Sequence, residues 1–340
     1  MKGRRMLCCV LAICLVLTGC SGMSGKKQHT ATFLDLFDTV TTVLHYGGTQ
    51  EEFDRQAQSI RTELEFYHQL FDIYNDYPGV NNLKTVNDQA GIAPVKVDRA
   101  IIDLLIDCRN YYDLTGGMVD VTMGSVLRLW HEARTAGLAD QENAYLPDRA
   151  ALEEAADHTG FDSILIDEAA STVYLADSEM RLDVGAIAKG WATQRVADNA
   201  PDGYLISVGG NVCATGAKTH NGDAWVVAIQ HPDGEGYLHT IGVTGGCVVT
   251  SGDYQRTYIV DDKQYHHIID PNTLMPSTYW QSVTVVCVNS ALADALSTAL
   301  FLLPLEQGQA LAQSCGADAL WVDPQGQEYH TPGFETLIRS

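Results

Sequence analysis

An acid and an alcohol stand four residues apart in the segment Ala293-Asp-Ala-Leu-Ser-Thr-Ala299. At that spacing Asp294 and Thr298 share one face of a helix. Together they offer hard oxygen ligands of the kind a divalent cation takes. The surrounding residues are small and apolar, so a buried Asp294 needs a partner. A cation meets that need, and hydrogen bonds from nearby backbone are the plain alternative. A second stretch, Asp183-Val-Gly-Ala-Ile-Ala-Lys189-Gly190, sets a carboxylate at a strand end before a glycine turn and a helix start. Such a junction presents free backbone groups to a ligand, and Lys189 sits where it can neutralise a phosphate. The alternative is a capped helix with a surface lysine. Val208-Gly-Gly-Asn211 permits close approach of a backbone to a ligand, or is simply a tight turn. Thr250-Ser-Gly-Asp-Tyr254 is followed by Tyr265-His-His267-Ile-Ile-Asp270-Pro271. Read as a strand, the two histidines point to opposite faces, so one serves a site in proton transfer or hydrogen bonding and the other is structural.

The elements that must position these groups follow from periodicity. Residues 38–46 read as an opening strand. Phe53, Ala57, Ile60, Leu64, Tyr67 and Phe71 recur at helical spacing over 51–71. Residues 72–91 read as a long loop, 99–114 as a second amphipathic helix, and 148–158 as a short one. A hairpin is expected over 163–182, then a turn and helix over 183–199. Short strands with glycine-rich turns follow at 204–208, 225–229, 239–243, 247–251, 256–260 and 282–288. A helix of small residues over 291–303 and a strand over 317–322 close the pattern. Helices and strands alternate irregularly, which indicates an α+β fold with mixed and antiparallel sheets and packed helices rather than a doubly wound sheet.

The N-terminus reads as an export signal. Lys2, Arg4 and Arg5 precede an apolar run over 6–17, about half the ~20 residues needed to span a bilayer. It ends in Leu17-Thr-Gly-Cys20, a pattern similar to the bacterial lipobox, in which the cysteine is lipidated. The expected organisation is a signal peptide over 1–19, a lipidated Cys20 with a polar tether over 20–31, and one folded domain over 32–340. The mature chain is then a lipoprotein held at the extracytoplasmic face of the cell membrane. Removing the three positive charges of the signal takes the net charge from −22 to −25. A field this acidic excludes general nucleic-acid binding, and an anionic substrate needs a metal or a local basic group. Cys108, Cys213, Cys247, Cys287 and Cys315 are scattered and odd in number, which argues against a zinc site or a disulfide framework.

Taken together, the motifs resemble those of the ApbE family of FAD:protein FMN transferases. Patterns of the type D-x-G-A-x-A-K-G, V-G-G-N, T-S-G-x-Y, H-I-I-D-P and A-D-A-x-S-T-A occur in order over 183–299. Phe37-Asp-Thr39 takes the place of the family's Met-Gly-Thr, and Val119-Asp-Val-Thr122 with Leu129-Trp130 matches its D-x-T and L-W element. The resemblance implies an ApbE-like, T-fold-related architecture. It implies that Asp294 and Thr298 bind Mg²⁺ through side chains, with the backbone carbonyls of Ala186 and Ser297 as further ligands. It places FAD, as substrate, against Phe37, Tyr74, Met118, Val119, Asp120, Asp183, Lys189 and His267. His267 or Asp270 is the candidate general base. The implied reaction joins FMN to a threonine or serine of a client protein and releases AMP; the client is an exported or membrane redox protein with a D-x-x-S/T-G/S-A-T segment. A magnesium-dependent FAD pyrophosphatase and a non-enzymatic flavin-binding lipoprotein are the alternatives. One departure concerns a turn: the family's Asp-Pro-x-Thr-Gly becomes Asp270-Pro-Asn-Thr-Leu274.

Overall fold

Eight strands follow one another in chain order across a single antiparallel sheet: Gln28–Leu36, Thr39–Tyr46, Tyr204–Val208, Asn211–Ala214, Gly246–Gly252, Ser282–Cys287, Asp318–Val322 and Glu328–His330. The computed structural model describes residues 27–339, so the expected signal peptide and Cys20 lie outside the described residues. Residues 28–31, read above as the end of the tether, belong instead to the first strand, where Gln28 pairs with Tyr46 and Ala31 with Val43. The tether reading missed them because the strand alternates apolar and polar residues and half of it faces solvent.

Two helices cover one face of the sheet centre. Ser290–Leu302 is buried at nearly every position, and Ala188–Asn199 packs against it. The other face is closed by a three-stranded sheet of Trp225–Gln230, Tyr237–Val243 and Ile338–Arg339, through a core that includes Leu205, Val212, Trp225, Ile241 and Val248. Central strands such as Ser282–Cys287 are buried on both faces because both are covered.

Gln50–Phe71 starts at a Thr49/Glu52 capping box and buries Phe53, Ile60 and Leu64. Arg99–Leu114, capped by Asp98, buries Ile101, Ile102, Leu105 and Cys108. Residues 72–91, read as loop, contain the short helix Leu83–Asp88, capped by Asn82. Among the described residues no helix is long and apolar enough to cross a membrane.

Candidate functional site

The site is built where the Asp183 junction meets the Ser290–Leu302 helix. The Asp183 N–H donates to the Val121 carbonyl at 2.8 Å, and the Gly124 N–H to the Arg181 carbonyl at 3.0 Å. The 118–124 and 181–187 segments are thereby stitched together. Asp183 Oδ1 accepts from the Gly185 N–H at 2.8 Å, which shapes the turn ahead of the helix. Lys189, in the first turn, donates to the Gly185 carbonyl at 3.1 Å and sets its ammonium 3.7 Å from Asp294 Oδ2.

Asp294 is 4% exposed. Its Oδ2 accepts the Gly190 N–H at 2.8 Å. In an unbroken helix that N–H would return to the carbonyl of Ala186, four residues back. The helix starts only at Ala188, so that N–H is one of its free first-turn donors, and among the described residues no backbone N–H outside the helix ladders donates to Ala186. The contact is possible because residue 190 is glycine: an added Cβ would lie 2.4 Å from both Asp294 Cβ and the Ser290 carbonyl oxygen. Burial raises the Asp294 pKa, and the Lys189 charge, the Gly190 N–H and the Asn211 side chain oppose it. Asn211 is itself buried, and its Oδ1 has no hydrogen-bond partner among the described residues.

Thr298 is half-buried one turn beyond Asp294. Ser297 Oγ donates to the Asp294 carbonyl at 2.9 Å and lies 2.8 Å from Ser251 Oγ, so the T-S-G motif braces this helix. The Ser297 carbonyl stands inside the helix and has one lone pair left for a ligand. Among the described residues no group of three His, Cys, Asp or Glu is set to hold a metal. A cation bound here would rest on one carboxylate with hydroxyl and carbonyl oxygens. The undonated Ala186 carbonyl, the Asp294 carboxylate and the orphaned Asn211 oxygen fit that hard-oxygen chemistry.

On the opposite side stand three residues that the sequence analysis did not single out: His131, Arg134 and Arg256. The Tyr74 ring, half exposed, stacks on His131 with centroids 5.2 Å apart. Arg134 reaches the Arg256 carbonyl at 3.4 Å and His131 Nδ1 at 3.3 Å, while its Nε is buried without a partner. Neither arginine forms an ion pair among the described residues. Burial and the Arg256 charge lower the Arg134 pKa. Burial raises the Tyr74 pKa to about 12, and Asp183, Arg256, Arg134 and Asp38 lie near enough for their charges to act on it. Arg256 lies two residues beyond the T-S-G-D-Y motif, the one signal that could have found it.

His266 and His267 lie just past the Lys263–Tyr265 strand rather than on it. They still divide as structural and exposed. His266 is buried, with Nε2 on the Ser277 carbonyl at 2.8 Å and Nδ1 accepting the Ile268 N–H at 3.2 Å. His267 is deep-set but open to solvent, and its Nδ1 meets the Gln255 carbonyl at 3.1 Å. Desolvation, reinforced by Arg256, His266 and Lys189, lowers its pKa. Asp270 is occupied locally: its Oδ1 accepts the Asn272 N–H at 2.8 Å. Of the two candidate bases, His267 is the one shown within reach of the Lys189 and Arg256 charges.

A model of the ApbE family matches residues 37–321. The chain belongs to the ApbE family. It is 35% identical over 279 residues to an FAD:protein FMN transferase of Treponema pallidum, covering 76% of this chain and 75% of that one. It is 25% identical over 350 residues to one from Escherichia coli K12, covering 97% of each. The crystal structure of an ApbE protein from Thermotoga maritima superposes with a TM-score of 0.81 at 28% identity, over 92% of this chain and 100% of that one. The flavin transferase ApbE of Vibrio cholerae has the same fold, with a TM-score of 0.75 at 24% identity over 92% and 100%.

Within this ApbE protein the remaining motif residues have plain structural duties. Gly209 and Gly210, with φ of 56° and 94°, form the two-residue turn that pairs Val208 with Asn211. A Cβ on Gly209 would lie 2.6 Å from Thr39 Oγ1, so the close approach is to that side chain. Phe37 and Asp38 fill a second such turn, with φ of 52° and 51°, and the Phe37 N–H donates to His68 Nδ1 at 3.2 Å. Leu274, where the family has glycine, keeps φ at 60°; its side chain is buried and its carbonyl accepts Trp130 Nε1 at 3.0 Å. Val119 is buried, and Asp120 accepts from the Thr122 N–H at 2.8 Å and its hydroxyl at 2.6 Å. Burial raises the Asp120 pKa against those bonds. Met118 Sδ lies 3.9 Å from Asn272 Nδ2.

Proposed function

We propose that this ApbE protein transfers FMN from FAD to a threonine or serine hydroxyl of a client protein and releases AMP. The observation that carries the reading is the Asp294 carboxylate, buried between two helices and faced by Lys189 and the Gly190 N–H. A carboxylate this deeply buried is costly even with the Lys189 ammonium 3.7 Å away, and a diphosphate-bound cation would account for its retention. The resemblance to proteins named FAD:protein FMN transferase supplies the reaction.

In the reaction the client oxygen attacks the FMN-side phosphorus, the bond to the AMP phosphate breaks, and FMN remains joined through a phosphoester. Catalysis of this kind is positioning and charge neutralisation. Magnesium, held by Asp294, Thr298 and the Ala186 and Ser297 carbonyls, would supply neutralisation of the diphosphate. Lys189 adds a cation at the same point, and Arg134 and Arg256 add two unpaired ones across the space. These local charges offset the repulsion of a chain with net charge −22. With Nδ1–H given to Gln255, His267 keeps Nε2 free to accept the hydroxyl proton, and its low pKa keeps it neutral at pH 7. The client is an exported or membrane redox protein with a D-x-x-S/T-G/S-A-T segment, met at the membrane surface where lipid on Cys20 holds the enzyme. Support for this part comes from the Leu17-Thr-Gly-Cys20 segment alone.

The test is incubation of purified protein with FAD and magnesium, with and without a peptide carrying that segment. AMP released only with the peptide, which gains the mass of FMN, is the expected result. AMP and free FMN without peptide would make the protein a pyrophosphatase; intact FAD in both tubes would leave a binding protein.

A further inference from the structure

Three cysteines lie in one row across the middle of the main sheet. Cys247 of the Gly246–Gly252 strand is paired with Cys213 on one side and with Cys287 on the other. Directly opposed residues of antiparallel strands project to the same face, so the three thiols stand side by side. That face is the one covered by the two site helices: Cys247 Sγ lies 3.9 Å from Gln194 Oε1, which accepts the Ser290 N–H at 2.7 Å. All three are buried. They are not equivalent. Cys247 and Cys213 have their sulfurs 2.8 Å apart, whereas the Cys287 thiol turns to the Asn289 carbonyl at 3.1 Å.

We propose that Cys213 and Cys247 form a disulfide in the mature protein, with Cys287 left as a free thiol. Opposed Cα atoms of antiparallel strands are about 4.5–5.5 Å apart, within the range a disulfide spans. The sulfurs must close by under one ångström to reach the bond length of about 2.05 Å. The two thiols give up two electrons and two protons. An incoming disulfide, of an oxidoreductase or of oxidised glutathione, takes them up and leaves as two thiols, so one S–S bond breaks as the other forms. The hydrogen bond to Cys213 Sγ, together with burial, pushes the Cys247 thiol pKa up and keeps it protonated and unreactive in the fold. The exchange therefore belongs to the folding chain, and the finished bond is shielded by the helices. The oxidising compartment it needs rests on the export reading of residues 1–20; the pairing itself does not. The consequence for the site is local: Cys213 and Asn211 are two apart on one strand and share a face, so the bond would staple the strand whose Asn211 side chain faces Asp294.

The experiment uses the full chain produced twice in a bacterial host, once exported to the periplasm and once retained in the cytoplasm. Each sample is denatured directly into an alkylating agent, digested and mapped by mass spectrometry. The periplasmic sample should give the Cys213 peptide joined to the Cys247 peptide, lighter by two hydrogens, with Cys287 alkylated. The cytoplasmic sample should give three alkylated thiols. The joined form should melt on the order of 5 °C higher, a gain removed by reductant, and Cys213→Ala should abolish both joined peptide and gain. Three alkylated thiols in the periplasmic sample, or a Cys247–Cys287 peptide, would overturn the assignment. AMP release is read separately, so loss of the disulfide and failure of the transferase reading are distinguishable.

Discussion

Gly190→Ala is the sharpest test of the helix contact, because helix propensity and packing give opposite signs. In an exposed helix interior the change stabilises by about 1 kcal/mol. Here the new methyl would sit 2.4 Å from Asp294 Cβ and from the Ser290 oxygen, where carbon contacts ordinarily lie at about 3.5–4.0 Å. The helices must part by about 1 Å. The 2.8 Å bond from the Gly190 N–H to Asp294 Oδ2 then stretches past hydrogen-bond length. Overpacking costs about 1–3 kcal/mol and a lost bond to a charged group about 1.5–3. Net of propensity, the variant should be less stable by about 2–5 kcal/mol. Urea unfolding and calorimetry measure it, with a fall in melting temperature on the order of 5–10 °C. AMP release from FAD at saturating magnesium should drop about 10²-fold, the usual cost of a 1 Å displacement. A variant as stable as the parent, with unchanged AMP release, would refute the claim that this glycine exists to bring the two helices together.

Four further outcomes follow. Asp294→Asn should fold, lose AMP release, and lose the magnesium-dependent rise in melting temperature that the parent shows; a retained rise would move the cation elsewhere. His267→Gln should lower the maximal rate about 10²–10⁴-fold with little change in FAD affinity. Because the His267 pKa is depressed, the parent rate should show no acid limb from this group between about pH 5 and 8. Asp253 is raised by burial from 3.8 to about 6. Its folded form holds the proton more tightly than the unfolded chain, so stability falls as pH rises through that window. Asp253→Asn should flatten the slope, by no more than about 1 kcal/mol after allowing for solvent screening, as read by urea midpoints at both ends. Asp38→Gly, which places glycine where φ is 51°, should stabilise by about 0.5–1 kcal/mol in the same assay; a loss would mean the Asp38 side chain earns its place by a contact.

Much of the frame was legible. The helix over 99–114 and the strand over 204–208 emerge with the same bounds in sequence and structure, since the first has a capped apolar stripe and the second a mostly apolar run between turns. The four-residue strand Asn211–Ala214 went unread because it is buried at every position and shows no alternation. The helices Leu83–Asp88 and Leu305–Ser314 went unread too, being short and set in turn-rich or polar sequence. For the site, local spacing put Asp294 and Thr298 on one face, but it carried no information on what meets them. That Gly190 donates to Asp294 across 104 residues, and that Arg134 and Arg256 meet across 122, are facts of packing. His266 and His267 were separable by type of neighbour only once the strand was seen to stop at Tyr265.

The seam between the Val121 carbonyl and the Asp183 amide has a mechanical consequence. Two loops that the proposed reading sets against FAD are locked into a single rigid wall, reinforced by Gly124 against Arg181. A bulky visitor cannot enter by prising that wall open without breaking backbone bonds. The segment where Arg256 takes a left-handed backbone and His267 looks into solvent is tied instead through side chains, Arg134 to the Arg256 carbonyl and His267 to the Gln255 carbonyl. Side-chain ties yield more readily than backbone ones, so under the proposed reading this is the edge where differences among family members in the breadth of accepted clients should collect.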